Sequence, residues 1–239
     1  MALNLGLSQW ELATMTRTLL FDIDGTLIDS GGAGRLALNA ALRDAFGVEP
    51  TVPISFGGRT DRSLLSEMLD VHGIEVSDAS FEKLKSTFAP AMSDHLRTSG
   101  GTLLPGVVAL LQSLREKSAH RLWCMTGNLH ETARSKLSHF GIEEHFEYIV
   151  GGDHDACRDD LARRASRDLA AMHGSEATEN VWVIGDTVAD IRCARAIGAR
   201  VVACCTGCHS RDELLASNPC HIVDDFSHTE SILGLLASA

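Results

Sequence analysis

The stretch TLLFDIDGT, residues 18–26, decides the fold that this chain is expected to adopt. Its apolar first half is typical of a strand that is buried on both faces of a parallel sheet. The strand ends in Asp22 and Asp24, and the chain then turns at Gly25. In an open α/β sheet, ligands bind outside the carboxyl ends of the strands. Asp and Gly also favour a plain solvated turn, but two carboxylates at such an edge repel each other unless a cation or a shared proton compensates. The stretch therefore favours a functional site.

Short apolar runs of the same kind recur along the chain and alternate with helical patterns. The predicted strands are 18–21, 122–125, 148–150, 181–184, 201–203 and 221–223. The predicted helices between them are 106–117, 129–140, 161–172 and 189–197. Alternation of this kind implies right-handed crossovers and a doubly wound α/β fold with a parallel, Rossmann-like sheet.

One segment breaks the alternation between strands and helices. From 32 to 102 the sequence shows only helical patterns, at 35–46, 60–71 and 78–97, and glycines stand at both ends of the segment. Glycine-rich joints suit the hinges of an inserted domain. We therefore expect a small all-helical cap domain at 32–102, an α/β core domain at 15–31 and 103–239, and an N-terminal extension at 1–14.

Composition excludes several classes of protein. The 239 residues carry 21 Lys and Arg against 32 Asp and Glu, a net charge of −11, which works against binding a nucleic acid. No apolar run reaches the length of a bilayer span, and the first residues lack the features of a signal peptide. Seven cysteines are too few for a disulfide scaffold. We expect a cytoplasmic protein, monomeric or homodimeric, with no nucleic-acid or membrane partner.

Two more strands are predicted to end in polar residues. The strand at 122–125 runs into Thr126, Gly127 and Asn128, where a hydroxyl and backbone N–H groups at a helix start form an anion cradle. Simple N-capping is the alternative there. The strand at 181–184 leads to Asp186 and, within the next helical turn, to Asp190. Oxygen ligands in this number suit Mg²⁺ better than zinc, although Asp190 also suits a helix start as a first-turn acid.

Basic residues that face the substrate are also expected. Arg158 is the first base beyond the strand at 148–150, so it is placed to reach the same sheet edge and hold a phosphate oxygen. Arg163 is the second candidate for this phosphate-binding role. In the cap, the loop FGGRTD, residues 56–61, enters a helix, and its Arg59 is a candidate for binding the end of the substrate that is not transferred. An exposed Arg in a turn is the equally weighted alternative.

Together, these segments resemble the haloacid dehalogenase superfamily, in its phosphoglycolate-phosphatase-like branch with a helical cap after the first strand. The resemblance covers about 17–226 and rests on DIDGT at 22–26, on Thr126, and on Asp186 with Asp190 four residues later. Many relatives place a Lys-Pro pair at the third motif, whereas this chain has Arg158. The resemblance implies a hydrolase of phosphoric monoesters, acting on a small phosphorylated metabolite.

The resemblance also implies residue roles. Asp22 would be the nucleophile that forms an aspartyl-phosphate, and Asp24 would protonate the leaving oxygen and then deprotonate the attacking water. Thr126 and Arg158 would hold the phosphoryl oxygens, with substrate contacts at Gly127 and Asn128.

The metal set follows from the same resemblance. Asp22, Asp186 and the Asp24 carbonyl would ligate Mg²⁺, and Asp190 would hold a metal-bound water or orient Asp186. The Asp24 side chain is expected to point away from the metal, towards the leaving group.

Four other functions of the same fold remain open. A dehalogenase has no need for an acid at Asp24, because halide leaves unprotonated. A phosphonatase uses a cap lysine as a Schiff base, and the cap offers Lys83 and Lys85, both in an amphipathic helical pattern typical of a solvated face. A sugar-phosphate mutase shares every core motif. A non-catalytic binding protein is disfavoured because Asp22 and Asp24 are both present.

Overall fold

A computed structural model describes residues 16–116 and 120–237. The strands are β1 (Arg17–Phe21), β2 (Ile28–Asp29), β3 (Thr102–Leu103), β4 (His120–Met125), β5 (Tyr148–Val150), β6 (Val181–Gly185), β7 (Arg200–Cys204) and β8 (His221–Val223). The α-helices are α1 (Ala33–Phe46), α2 (Asp61–Val71), α3 (Asp78–Leu96), α4 (Val107–Glu116), α5 (His130–His139), α6 (Arg158–His173), α7 (Val188–Ala196), α8 (Arg211–Ala216) and α9 (Thr229–Ala237). Two 3₁₀ turns lie at Glu143–His145 and Ser175–Thr178.

The core of the fold is a six-stranded parallel sheet in the order β5-β4-β1-β6-β7-β8. The doubly wound α/β fold expected from the sequence is thus confirmed. Successive residues of β1 point to opposite faces of the sheet, so Leu19 and Phe21 pack in one hydrophobic cluster and Leu20 packs in the other. Because β1 is central and covered on both faces, the residues that follow it lie in the middle of the sheet edge.

The helices α1, α2 and α3 form a separate layer with its own hydrophobic cluster. Leu42, Leu65 and Phe88 are buried in that cluster, which also includes Leu129 of the core. The two short strands β2 and β3 pair antiparallel at the two ends of this insertion. The all-helical composition expected for the cap is therefore what the structure has, while the domain limits at 32 and 102 stay a prediction.

Several details differ from the sequence expectations. The sixth helix begins at Arg158, not at residue 161, because Cys157 adopts an extended N-cap conformation. The strands β2 and β3 and the helices α8 and α9 were not predicted, since strands of two residues and helices of one or two turns carry little periodicity. The extension at 1–14 lies outside the described residues. None of the helices described here combines the length and apolar character needed to cross a membrane.

Candidate active site

The carboxyl ends of β1, β4 and β6 meet at one edge of the sheet and carry the polar residues there. Asp22 directly follows β1, and its backbone N–H donates to the carbonyl of Ile184 on β6 at 2.9 Å. Thr126 follows β4, and its N–H donates to the carbonyl of Val150 on β5 at 3.0 Å. Asp186 follows β6. The parallel register thus brings residues 22, 126 and 186 to a single site.

Three buried carboxylates form the floor of this site. Oxygens of Asp22, Asp186 and Asp190 all lie within 4.8 Å of one another, and each of the three residues is buried. The hydroxyl of Thr26 donates to Asp186 at 3.0 Å. Glycine is required at 207, because a Cβ there would overlap the Asp186 carboxylate. The fold therefore makes room for a group of oxygen donors rather than for packed apolar side chains.

Burial and neighbouring like charges make two of these acids harder to ionise. Burial, helped by the neighbouring Asp190, raises the pKa of Asp22 to about 6 against the lowering effect of Arg158. Burial, then Asp190 and Asp22, raise the pKa of Asp186 well above its ordinary value. Three carboxylates with one buried arginine leave net negative charge in a water-poor place. An all-oxygen, anionic group of this kind fits Mg²⁺.

The buried arginine is Arg158, the first residue of α6. Its Nη1 donates to Asp22 at 3.2 Å, and its Nη2 pairs with Asp190. Within the described chain its buried Nε has no hydrogen-bond partner. Arg163 instead pairs with Asp160, and both of these side chains are about half exposed. The structure therefore does not bring Arg163 to the site, because five residues along the helix rotate its side chain by roughly 140° from that of Arg158, out to solvent.

Asp190 is held by its own helix start. Thr187 donates to the Asp190 carboxylate from its backbone N–H at 3.0 Å and from its hydroxyl at 2.6 Å. The Asp190 backbone N–H donates back to the Thr187 hydroxyl at 3.3 Å. Asp190 thus completes the capping box that Thr187 begins at the start of α7, as suits a first-turn acid, and is also one of the three clustered carboxylates.

The Asp24 carboxylate lies outside that group and accepts hydrogen bonds from Lys136 and Asn128. Lys136 on α5 donates to both of its oxygens, at 2.8 and 2.6 Å, and the Asn128 amide donates to it at 2.8 Å. Burial raises the pKa of Asp24, but the charge and hydrogen bonds of Lys136 and the bond from Asn128 outweigh burial, so the pKa falls below its ordinary value. The free site therefore holds Asp24 ionised.

Above these residues lies a cavity of about 290 Å³ between the sheet edge and the helical layer. The core contributes residues 22, 24, 126–128, 136, 158 and 186 to its wall, and the cap contributes residues from α1, α2, α3 and the loop before α2. A space of this size suits a small ligand.

Comparison with known proteins identifies the family. Residues 16–198 match the sequence model of haloacid dehalogenase-like hydrolases, described as hydrolases. The chain belongs to this family. It is 24% identical over 223 residues to a phosphoglycolate phosphatase of Nitrosococcus oceani, across 92% of this chain and 97% of that protein.

Further relatives point to the same branch. A phosphoglycolate phosphatase of Rhodobacter capsulatus is 29% identical over 190 residues, across 77% of this chain and 82% of that protein. The crystal structure of a hydrolase from Pseudomonas syringae superposes with a TM-score of 0.70 at 25% identity, covering 94% of this chain and 100% of that one. The expected hydrolase of the phosphoglycolate-phosphatase-like branch is thus confirmed.

On the cap side of this haloacid dehalogenase-like site, the two arginines that line the cavity differ in their pairing. Arg59 reaches the cavity wall, but its guanidinium pairs with Glu67 and donates to the carbonyls of Ser55 and Ser63 at 3.3 Å. Arg35, at the start of α1, is exposed, lies over the ring of Phe56, and has no ion pair within the described residues. The structure therefore leaves Arg35, rather than Arg59, with an unneutralised charge beside the cavity.

The two cap lysines of α3 point elsewhere. The Lys83 ammonium lies 4.7 Å from the centre of the Phe46 ring, and Lys85 pairs with Asp153 at 3.5 Å. Neither lines the cavity. A cap lysine poised for Schiff-base chemistry is therefore absent among the described residues of this site.

Asp61 joins the cap to the core. This first residue of α2 is 5% exposed, and its carboxylate accepts hydrogen bonds from the Leu129 backbone N–H at 2.8 Å and the Thr132 hydroxyl at 3.3 Å. Its own N–H donates to the Gly127 carbonyl at 2.6 Å. Burial raises the pKa of Asp61 to about 6, although Lys136 lowers it.

Sequence reasoning missed Lys136, which belongs to the site. The residue is 3% exposed and sits inside the helical pattern predicted at 129–140. It lies seven residues after Leu129 and three after Ala133, both buried, so the helical period places it on the buried stripe. A lysine on an apolar stripe requires a buried anion, and that was the available signal.

Proposed function

We propose that this hydrolase is a Mg²⁺-dependent phosphatase that cleaves a small, phosphoglycolate-like phosphomonoester through an aspartyl-phosphate on Asp22. The observation that carries the proposal is the buried group of Asp22, Asp186 and Asp190, which opens onto a cavity that Asp24 also lines. The names of the relatives support the choice of substrate class.

Asp22 is the proposed nucleophile. Its carboxylate lies at the cavity floor and touches Arg158, whose charge favours the ionised form that attack on phosphorus requires. Attack forms an Asp22 Oδ–P bond while the P–O bond to the leaving group breaks. Water then attacks the same phosphorus, which regenerates the carboxylate and releases inorganic phosphate.

The proposed metal ligands are Asp22, Asp186 and the main-chain carbonyl of Asp24. Asp190, which is fixed by Thr187 and paired with Arg158, orients this group. A bound Mg²⁺ supplies positive charge that neutralises the phosphoryl oxygens during transfer. It would also relieve the mutual repulsion that raises the pKa of Asp22 and of Asp186.

Thr126 and Arg158 are proposed to hold the phosphoryl oxygens. The Thr126 hydroxyl accepts from the Asn128 backbone N–H at 3.2 Å and from the Asn128 side-chain amide at 2.7 Å, so its own proton remains free to donate into the cavity. The unpaired buried Nε of Arg158 is a second donor that an incoming oxyanion would satisfy. The backbone N–H of Gly127 completes the proposed cradle, while that of Asn128 supports it through the Thr126 hydroxyl.

Asp24 is the proposed acid and base for the leaving group. Its side chain faces the cavity and is 37% exposed. A phosphate monoester that binds as its monoanion brings the proton that Asp24 passes to the leaving oxygen. In the second step Asp24 accepts a proton from the attacking water and passes it to the departing phosphate, so the carboxylate ends the cycle ionised, as it began.

The cap is proposed to close this reaction off from bulk water. The Arg59 carbonyl and the Thr60 backbone lie so close to Gly127 that a Cβ at 127 would overlap them. Together with the Asp61 contacts, this packing seals the cap against the loop that follows β4. Exclusion of water strengthens the electrostatic interactions inside the site and limits leakage of the intermediate.

The test is phosphate release from a panel of small phosphomonoesters, with Mg²⁺ and with EDTA. The wild type is compared with Asp22→Asn and with Asp94→Asn, whose side chain is exposed on α3 and pairs with Arg97. We expect Mg²⁺-dependent release that Asp94→Asn retains and Asp22→Asn loses. Equal release by wild type and Asp22→Asn would remove the nucleophile assignment. Transfer of phosphate between two positions of a sugar, without net release, would favour the mutase.

A cytoplasmic location is part of the proposal. All seven cysteines are free, including the exposed Cys208 and Cys220, which fits a compartment that keeps thiols reduced.

A further inference from the structure

Lys136 is almost fully buried and its three donor directions are all occupied. The side chain is 4% exposed, and the ammonium donates to Asp24 Oδ1 at 2.8 Å, to Asp24 Oδ2 at 2.6 Å and to Asn128 Oδ1 at 2.7 Å. An ammonium has three N–H groups and accepts nothing. Lys136 therefore has no N–H left for a substrate while these contacts persist.

Asn128 completes a closed network around the same carboxylate. Its amide nitrogen donates to Asp24 Oδ2 at 2.8 Å and to the Thr126 hydroxyl at 2.7 Å, while its amide oxygen accepts from Lys136. Each polar atom of the amide thus has a defined partner. The network ties the orientation of Asp24 to the end of β4 and to α5, two rigid elements of the core.

The network determines which way Asp24 faces. Its carboxylate is absent from the group in which Asp22, Asp186 and Asp190 approach within 4.8 Å, although Asp24 is only two residues from Asp22. An untethered carboxylate at this place would be drawn towards a cation held by those three acids. Paired with a buried ammonium instead, Asp24 stays at the cavity wall.

We infer that Lys136 is a positioning residue that, with Asn128, fixes the Asp24 carboxylate in the direction of the leaving group. The inference rests on the proposed function, since it presumes that Asp24 serves the leaving oxygen. It goes beyond that function, because it assigns a role to a helix residue outside the motifs at the strand ends. Lys136 acts through Asp24 and forms no bond with the substrate.

The experiment compares two leaving groups. Lys136→Met removes the ammonium and keeps the length of the side chain, and Lys85→Met is its matched control, because Lys85 pairs with Asp153 away from the cavity. kcat and KM are measured for glycerol phosphate, whose alkoxide must be protonated as it leaves, and for p-nitrophenyl phosphate, whose phenolate leaves with little help. General acid catalysis contributes about 100-fold or more.

We expect Lys136→Met to lower kcat/KM, which reports the steps up to the departure of the leaving group, by about 100-fold on glycerol phosphate and by less than about tenfold on p-nitrophenyl phosphate. Lys136→Arg, which keeps the charge, restores part of the loss on glycerol phosphate. Lys85→Met behaves as wild type. Equal losses on the two substrates, or no loss on either, would overturn the positioning role.

Two further measurements keep the outcome decisive. If Lys136→Met does not fold, as judged by circular dichroism, Asn128→Ala takes its place, and the same dependence on the leaving group is expected with a smaller loss. Asp22→Asn is assayed alongside on p-nitrophenyl phosphate. Full activity of Asp22→Asn would overturn the nucleophile assignment and the inference with it, whereas equal losses confined to the Lys136 variants would overturn the inference alone.

Discussion

The contact between Asp61 and α5 predicts an unusual dependence of stability on pH. Asp61 is buried where the cap meets the core, and burial raises its pKa from the ordinary 3.8 to about 6. A carboxyl group with a raised pKa in the folded state favours folding most when it is protonated. Its contribution is therefore fully present below about pH 3.8 and is lost as the pH rises through about 6.

The size of the effect follows from the same two values. A difference of about two pH units between the folded and unfolded pKa corresponds to roughly 3 kcal/mol in the free energy of unfolding. Asp61→Asn keeps a side-chain oxygen that can accept from Leu129 and Thr132, but it does not ionise. The variant is therefore expected to gain on the wild type by about 1.4 kcal/mol for each pH unit between about 4 and about 6.

The assay is urea unfolding followed by circular dichroism, with EDTA present, for wild type and Asp61→Asn at several values between about pH 4.5 and about pH 7.5. Roughly 2 kcal/mol of the change falls in that range. Asp70→Asn, an exposed acid on the same helix, is the matched control and should differ from wild type by a constant amount. A difference between Asp61→Asn and wild type that stays constant, or that shrinks as the pH rises, would refute the reasoning.

Three other outcomes are expected. Arg158→Ala should lower kcat/KM by about 100-fold because it leaves Asp22 without its cation, while Arg163→Ala should stay within about twofold; equal effects would contradict the geometry. Gly207→Ala, whose methyl group would press on the Asp186 carboxylate, should raise the Mg²⁺ concentration needed for half-maximal activity by about 10-fold to 100-fold, as a Mg²⁺ titration would show. Arg35→Ala should raise KM for phosphoglycolate by about tenfold and leave KM for p-nitrophenyl phosphate unchanged, and an equal rise for both esters would exclude a role in binding a second anionic group.

The sequence determined the framework and the residues at the strand ends. The central strands of the core were predicted as apolar runs because they are buried on both faces. The less buried edge strands β5 and β8 were also predicted with the limits that the structure shows. The acids and the threonine that follow β1, β4 and β6 needed no structure to be grouped, since parallel strands deliver their carboxyl ends to one edge. The helical layer was predicted from the helical periodicity of the segments that form α1, α2 and α3.

The tertiary structure alone decided how charges are paired. Arg59 and Arg35 are both arginines near the cap glycines, and only the packing of α2 shows that Glu67 neutralises the first. Arg158 and Arg163 differ by five residues along one helix, and the helical rotation buries one and exposes the other.

Lys136 shows most clearly what could not be predicted from the sequence alone. It is 112 residues away from Asp24 in the chain, and only the packing of α5 on the sheet brings them together. Local pattern is set by contacts within a few residues, so it records which face of a helix is buried. It does not record which distant charge that face will meet, because that depends on how separate elements pack in three dimensions.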